Sequence, residues 1–244
     1  MIRKATLVFV LIVILAFGFG ETAQAATYSG SLQYTPPTPP DSLDGLFVGP
    51  SDLQWVTYTN TISWVVTDTD NSYSGFPWKY TYTFGHDGGQ AGISHIIIEA
   101  SDGITANDIT GLTGASITSI GPQTVLSGNP NMPEDLNGLR FNPLTTSPFS
   151  MTWTFWSNKA PVWGDMYARC GGKQGGINFA HNMGFTDTDG IDSIMDDIDP
   201  SALPSNGSID NHILRPDSTV PEPSGLMGLA LGIGSLGAYL LRKR

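Results

Sequence analysis

Seven consecutive residues, Trp78-Lys79-Tyr80-Thr81-Tyr82-Thr83-Phe84, alternate without a break between an aromatic ring and a Lys or Thr. A strand turns successive side chains to opposite faces, whereas a helix brings them round every 3.6 residues. This order therefore predicts a strand with Trp78, Tyr80, Tyr82 and Phe84 on one side. Such a stripe is more often covered by another layer than left on the surface. Further runs rich in Val, Ile, Thr, Tyr and Trp, bounded by Gly, Pro, Asn or Asp, predict strands at 27–34, 54–59, 61–67, 93–100, 149–156, 162–169 and 177–182. No helical period is sustained over three turns in the body, and only a short helical turn near 105–109 is expected. The fold class that follows is all-β, an antiparallel β-sandwich of jelly-roll-like type.

Both ends of the chain carry other signals. Arg3 and Lys4 precede an apolar run over 5–19, and Ala23-Gln24-Ala25 puts small residues where a signal peptidase reads. Residues 1–25 are expected to form a signal helix that engages the general secretion machinery and is cleaved after Ala25. About 15 apolar residues are too few for a spanning anchor, which needs ~20. At the other end Val220-Pro221-Glu222-Pro223 is followed by an apolar stretch over 225–241 and then by Arg242-Lys243-Arg244. As a transmembrane helix rising ~1.5 Å per residue, this stretch covers roughly 26 Å, short but workable for a ~30 Å hydrocarbon core. The basic triplet stays in the cytoplasm and everything before the helix lies outside. Gly232-x-Gly234-x-x-Gly237 matches a dinucleotide-binding pattern only as letters, because no strand precedes it and no acidic residue follows.

The order of motif, apolar helix and basic tail resembles the PEP-CTERM sorting signal. The resemblance implies that an exosortase recognises Pro221, Glu222 and Pro223. It further implies an intermediate anchored in the inner membrane by the C-terminal helix, followed by display at the cell surface or in the extracellular matrix. The expected organisation is a signal peptide over 1–25, a β-sandwich domain over 26–199, a linker over 200–219 rich in Pro, Ser, Asn and Asp, and the sorting signal over 220–244. Pro161-Val162-Trp163-Gly164-Asp165-Met166-Tyr167-Ala168 with Asn178-Phe179-Ala180-His181-Asn182-Met183-Gly184-Phe185 also resembles a segment that recurs in the bodies of PEP-CTERM proteins. In that pattern an Asp-Gly follows Tyr-Ala-Lys, whereas Arg169-Cys170-Gly171 stands here.

The body between the two signals is acidic: six Lys and Arg face twenty Asp and Glu, close to −14. Phosphate backbones are bound by neutralising them with basic residues, so nucleic acid is excluded as a partner. Cys170 is the only cysteine, which rules out an internal disulfide and reads as a small inert residue beside Gly171 and Gly172.

Three features of the body suggest chemistry. Asp187, Asp189, Asp192 and Asp196, with Gly190 as the turn residue, have the spacing of a calcium loop, and calcium takes oxygen ligands. Against a full loop, the first ligand position falls on Phe185 and the last on Asp rather than Glu. Trp78, Tyr80 and Tyr82 are candidates for a platform on which sugar rings stack, although aromatics on one strand face more often form core. Cys170, His181 and Asp165 lie in one segment and could in principle form a nucleophilic constellation. His86-Asp87-Gly88-Gly89 reads as a hairpin turn. No G-x-S-x-G elbow and no histidine pair at ligand spacing occurs. The expectation is a structural or adhesive surface protein without enzymatic turnover. The alternative is a carbohydrate-binding module, or an enzyme acting on exopolysaccharide through paired carboxylates.

Overall fold

The computed structural model describes residues 26–36, 45–49, 54–89, 91–126, 128–146, 148–171, 177–186 and 206–218. The signal segment with Ala23 and Ala25, the acidic loop with Asp187, Asp189, Asp192 and Asp196, and the sorting segment with Pro221, Glu222 and Pro223 lie outside them. Among the described residues no helix is long and apolar enough to cross a membrane.

The strands run β1 Thr27–Tyr34, β2 Leu46–Gly49, β3 Asn60–Thr67, β4 Trp78–His86, β5 Ile93–Glu99, β6 Ile109–Thr113, β7 Ala115–Gln123, β8 Leu136–Pro143, β9 Ser150–Ser157, β10 Ala160–Gly164, β11 Met166–Cys170, β12 Phe179–Asn182 and β13 Ile213–Ser218. One sheet has the order β1-β3-β4-β9-β6 and the other β2-β12-β11-β5-β8-β7, while β10 and β13 pair apart from both. Every pairing between these strands is antiparallel, and Gln33 forms one isolated parallel bridge with Gly45. The all-β expectation is met.

The alternation of β4 drives the packing. Tyr80, Tyr82 and Phe84 are fully buried, and their cross-strand partners on β9 are Phe155, Trp153 and Met151. Tyr80 stacks on Phe155 and Tyr82 on Trp153, each pair with centroids 5.3 Å apart. Phe141 of β8, in the facing sheet, meets Trp153 at 5.4 Å and Phe155 at 5.6 Å. These contacts join the two layers into one core, and each fully buried side chain contributes roughly 1.5–3 kcal/mol. The two tyrosine hydroxyls are satisfied where they lie: Tyr80 donates to Lys159 O at 2.9 Å and Tyr82 to Leu214 O at 2.8 Å.

Four sequence expectations are corrected. Residues 54–59 do not extend as a strand. Trp55–Thr57 is a 3-10 turn, because the Trp55 ring is buried and Asn60 Nδ2 donates to both Trp55 O and Tyr58 O at 2.7 Å, which curls the backbone. The run 162–169 is two strands, β10 and β11, broken at Asp165. A Cβ at Gly164 would stand 2.0 Å from Arg215 Nε, so the chain bends there against a buried side chain. His86–Gly89 is a turn but no hairpin, since β4 and β5 belong to different sheets. The linker expected over 200–219 is in part a strand: β13 pairs with β10, with Ile213, Leu214 and Arg215 buried. The helical turn near 105–109 is present at Ala106–Asp108, with a capping box in which Thr105 N donates to Asp108 Oδ2 at 2.8 Å.

Candidate functional site

The platform proposed from the sequence does not exist as a surface. Tyr80 and Tyr82 have no exposed area, and burial raises both phenols far above their ordinary range. Trp78 is half-buried and stacks on Tyr28 at 6.3 Å. Trp153, Phe155 and Trp163 are buried as well. The strand that suggested a sugar platform spends its rings on the core.

What β4 presents outward is the other half of its alternation. In register, Ser31, Ser63, Thr83 and Thr152 form one row across β1, β3, β4 and β9, and Ser29, Val65, Thr81 and Thr154 form the next. Neighbouring strands lie ~4.8 Å apart and residues two apart along a strand are roughly 6.7 Å apart, so the hydroxyls sit on a regular grid. Thr83 and Thr152 share a hydrogen bond of 2.9 Å, and Thr81 and Thr154 one of 3.0 Å. Each pair holds two hydroxyl protons and uses one between the oxygens, leaving a donor and several acceptor lone pairs for a ligand or water. A groove of about 450 Å³ runs over this face between Ser29, Ser31, Ser63, Thr81, Thr83 and Asn206.

These two rows are uncharged, although the chain as a whole carries a net charge of −11. In the row beyond them Lys79 is tied to Asp70 at 2.8 Å and lies 4.9 Å from the centre of the Trp156 ring. The Lys79 hydrogen bond, helped by Ser72, lowers the Asp70 carboxyl to about 2. The face thus offers neutral hydroxyls and one cation already neutralised.

The Cys170, His181, Asp165 constellation is not assembled. Cys170 points into the main core and its Sγ accepts from Asn178 N at 3.1 Å. His181 lies on the opposite face of the sheet, stacked on Phe47 at 4.8 Å, and burial lowers its pKa. Asp165 instead accepts from Asn182 Nδ2 at 2.7 Å and contacts His212 Nδ1 at 3.1 Å. Close by, Glu99 Oε2 accepts from Asp165 N at 2.8 Å and faces Arg215 Nε at 3.2 Å, and Arg215 Nε also reaches Trp163 O at 3.1 Å. This polar cluster fastens β5, the β10–β11 corner, β12 and β13 to one another. Sequence reasoning missed it because its members are spread from residue 99 to residue 215. The one legible trace was Gly164-Asp165, an interruption in an otherwise strand-like run.

Among the described residues no group of three or more His, Cys, Asp or Glu side chains is placed to hold a metal. Comparison with protein-family profiles, with curated proteins and with solved structures finds no match to this chain.

Proposed function

We propose that the chain is an exported protein of structural or adhesive type, sorted by an exosortase to the cell surface or extracellular matrix. The reading includes the signal helix over 1–25, the transmembrane helix after Pro221-Glu222-Pro223 and a jelly-roll-like connectivity. The observation that carries it is how close the last described strand lies to the motif. Strand β13 runs to Ser218, and Pro221 follows three residues later. Three extended residues reach about 10 Å. A helix in the membrane after this motif therefore holds the sandwich close against the outer leaflet, with its acidic surface exposed beyond it. Protease treatment of intact native-host cells tests this: peptides from 26–218 are expected in the released fraction. Protection of the body until the cells are lysed contradicts it.

The second reading, a carbohydrate-binding module, is favoured by the hydroxyl grid in place of the aromatic platform. An uncharged row of paired threonines suits a neutral, hydroxyl-rich polymer, which exchanges hydrogen bonds without a charge to desolvate. Sedimentation with an insoluble neutral glucan tests it. The expected result is binding by the wild type and loss of binding by the Thr83→Val, Thr152→Val double variant, whose shape is preserved. Equal sedimentation of the two proteins removes the grid as a binding face.

A further inference from the structure

The Lys and Arg side chains among the described residues divide into two groups. Lys79 pairs with Asp70, Lys159 with Asp108 at 4.0 Å, and Arg215 with Glu99 and Asp217. Arg140 of β8 and Arg169 of β11 pair with no carboxylate among the described residues. They flank β5 on one face of the sheet, Arg140 opposite Ile97 and Arg169 opposite His95, and burial first, then the Arg169 charge, lowers the Arg140 pKa. Among the described residues, two neighbouring guanidinium groups without a counter-charge make an arrangement that repels itself.

Between them stands His95, fully buried, directly opposite Arg169 in the β5–β11 register. Arg140 Nη2 donates to His95 Nδ1 at 3.1 Å, so Nδ1 carries no proton. His95 Nε2 therefore carries it and donates to Asn129 Oδ1 at 3.0 Å, while Asn129 Nδ2 donates to Thr124 O at 2.9 Å. The chain of donors runs one way and fixes the ring as neutral. Burial and the Arg140 charge bring its pKa down to about 3. His95 therefore adds no charge and serves to hold the Arg140 guanidinium in place. On the other side Arg169 Nη1 donates to Gly128 O, and Arg169 Nε is buried with no acceptor among the described residues. Both arginines remain partly exposed.

We propose that Arg140 and Arg169 form a binding site for an oxyanion, a sulfate, phosphate or carboxylate group that bridges the two guanidinium forks. Planar forks of fixed donors match the oxygens of such groups, and bonds of this kind are about twice as strong as neutral ones. The bridging anion supplies the missing counter-charge and an acceptor on the side of Arg169. The same chemistry arrives either as a free ion or as the acid group of a sugar residue.

The test is a thermal melt of the full chain at constant ionic strength, with chloride replaced stepwise by sulfate or by glucuronate. Sulfate is expected to raise the wild-type midpoint in a saturable way. In Arg169→Gln the concentration needed is expected to rise about tenfold or more, as for loss of a hydrogen bond to a charged group. In chloride alone the midpoint of that variant combines the lost bond to Gly128 O with relief of the repulsion, so the anion response and not the starting midpoint is the readout. Arg140→Gln, which also loosens His95, provides an independent second variant with the same loss of response. Glucuronate acting at lower concentration than sulfate identifies a sugar-borne acid as the source, and the reverse order identifies the free ion. No response of the wild type to either anion, or equal responses in wild type and both variants, overturns the site.

Discussion

Replacing Tyr82 by Phe removes one oxygen from the middle of the core and leaves the shape of the ring unchanged. Its stacking on Trp153 at 5.3 Å and on Phe155 at 6.2 Å is kept. What is lost is the hydrogen bond to Leu214 O at 2.8 Å. Tyr82 and Leu214 both have no exposed area, so water does not replace the missing donor. A buried polar group stripped of its partner costs roughly 1–3 kcal/mol. For a domain of this size each kcal/mol lowers the melting temperature by about 2–4 °C, so the expected fall is roughly 2–12 °C. The urea slope stays constant, since the surface exposed on unfolding is the same. Thr81→Val on the other face of the same strand is the control, with an effect within about 0.5 kcal/mol. If Tyr82→Phe melts with the wild type while Thr81→Val is strongly destabilising, the inner and outer faces of β4 have been assigned the wrong way round.

Gly164→Ala places a Cβ 2.0 Å from Arg215 Nε and 2.5 Å from Glu99 Oε2, and is expected to cost about 1–3 kcal/mol in a urea titration. Acid should weaken the fold through His95: the unfolded chain takes up a proton near pH 6.5, whereas the folded His95 resists it until about pH 3. Stability is then complete above pH 6.5 and falls as pH drops through that window, by about 1.4 kcal/mol per pH unit from His95 alone. His86 and His181, lowered chiefly by burial, act in the same direction, and His95→Gln should flatten urea midpoints measured between pH 7 and 5. Calcium held by Asp187, Asp189, Asp192 and Asp196 would add about 2.7 kcal/mol at a hundredfold excess over its dissociation constant. A melt that shifts in calcium more than in magnesium, and loses the shift in Asp189→Asn, supports that loop; an unchanged midpoint rejects it.

The parts of the fold legible in the sequence are those where local pattern and tertiary role agree. Strand β4 could be read because every second residue is aromatic and every aromatic from Tyr80 on is core. The capped turn at Ala106–Asp108 was legible because Thr105 and Asp108 carry their own hydrogen-bond logic. Strands β6, β7 and β8 escaped because Gly111, Gly121, Pro122 and Gly138 interrupt the run of β-formers, and their pairing is set by distant partners. Strand β13 was hidden for a similar reason: Pro216 and the polar residues before it read as spacer, yet Ile213 and Leu214 fill the core. The split between β10 and β11 depends on Arg215, fifty-one residues beyond Gly164, which no local window contains. The arginine pair was equally invisible, since 140 and 169 come together only across β5. The sequence favoured the aromatic face of β4 as core without deciding it, and the burial of Tyr80 and Tyr82 removes the aromatic platform.

The central claim, that this body is displayed outside through the segment following β13, is tested most directly by following the chain in its native host with Pro221, Glu222 and Pro223 all changed to alanine. Wild-type chain should appear as a processed form at the cell surface or in the medium. The variant, whose changes all lie beyond the last described strand at Ser218, should accumulate unprocessed in the inner membrane fraction. Identical processing and identical location of the two proteins would contradict the account.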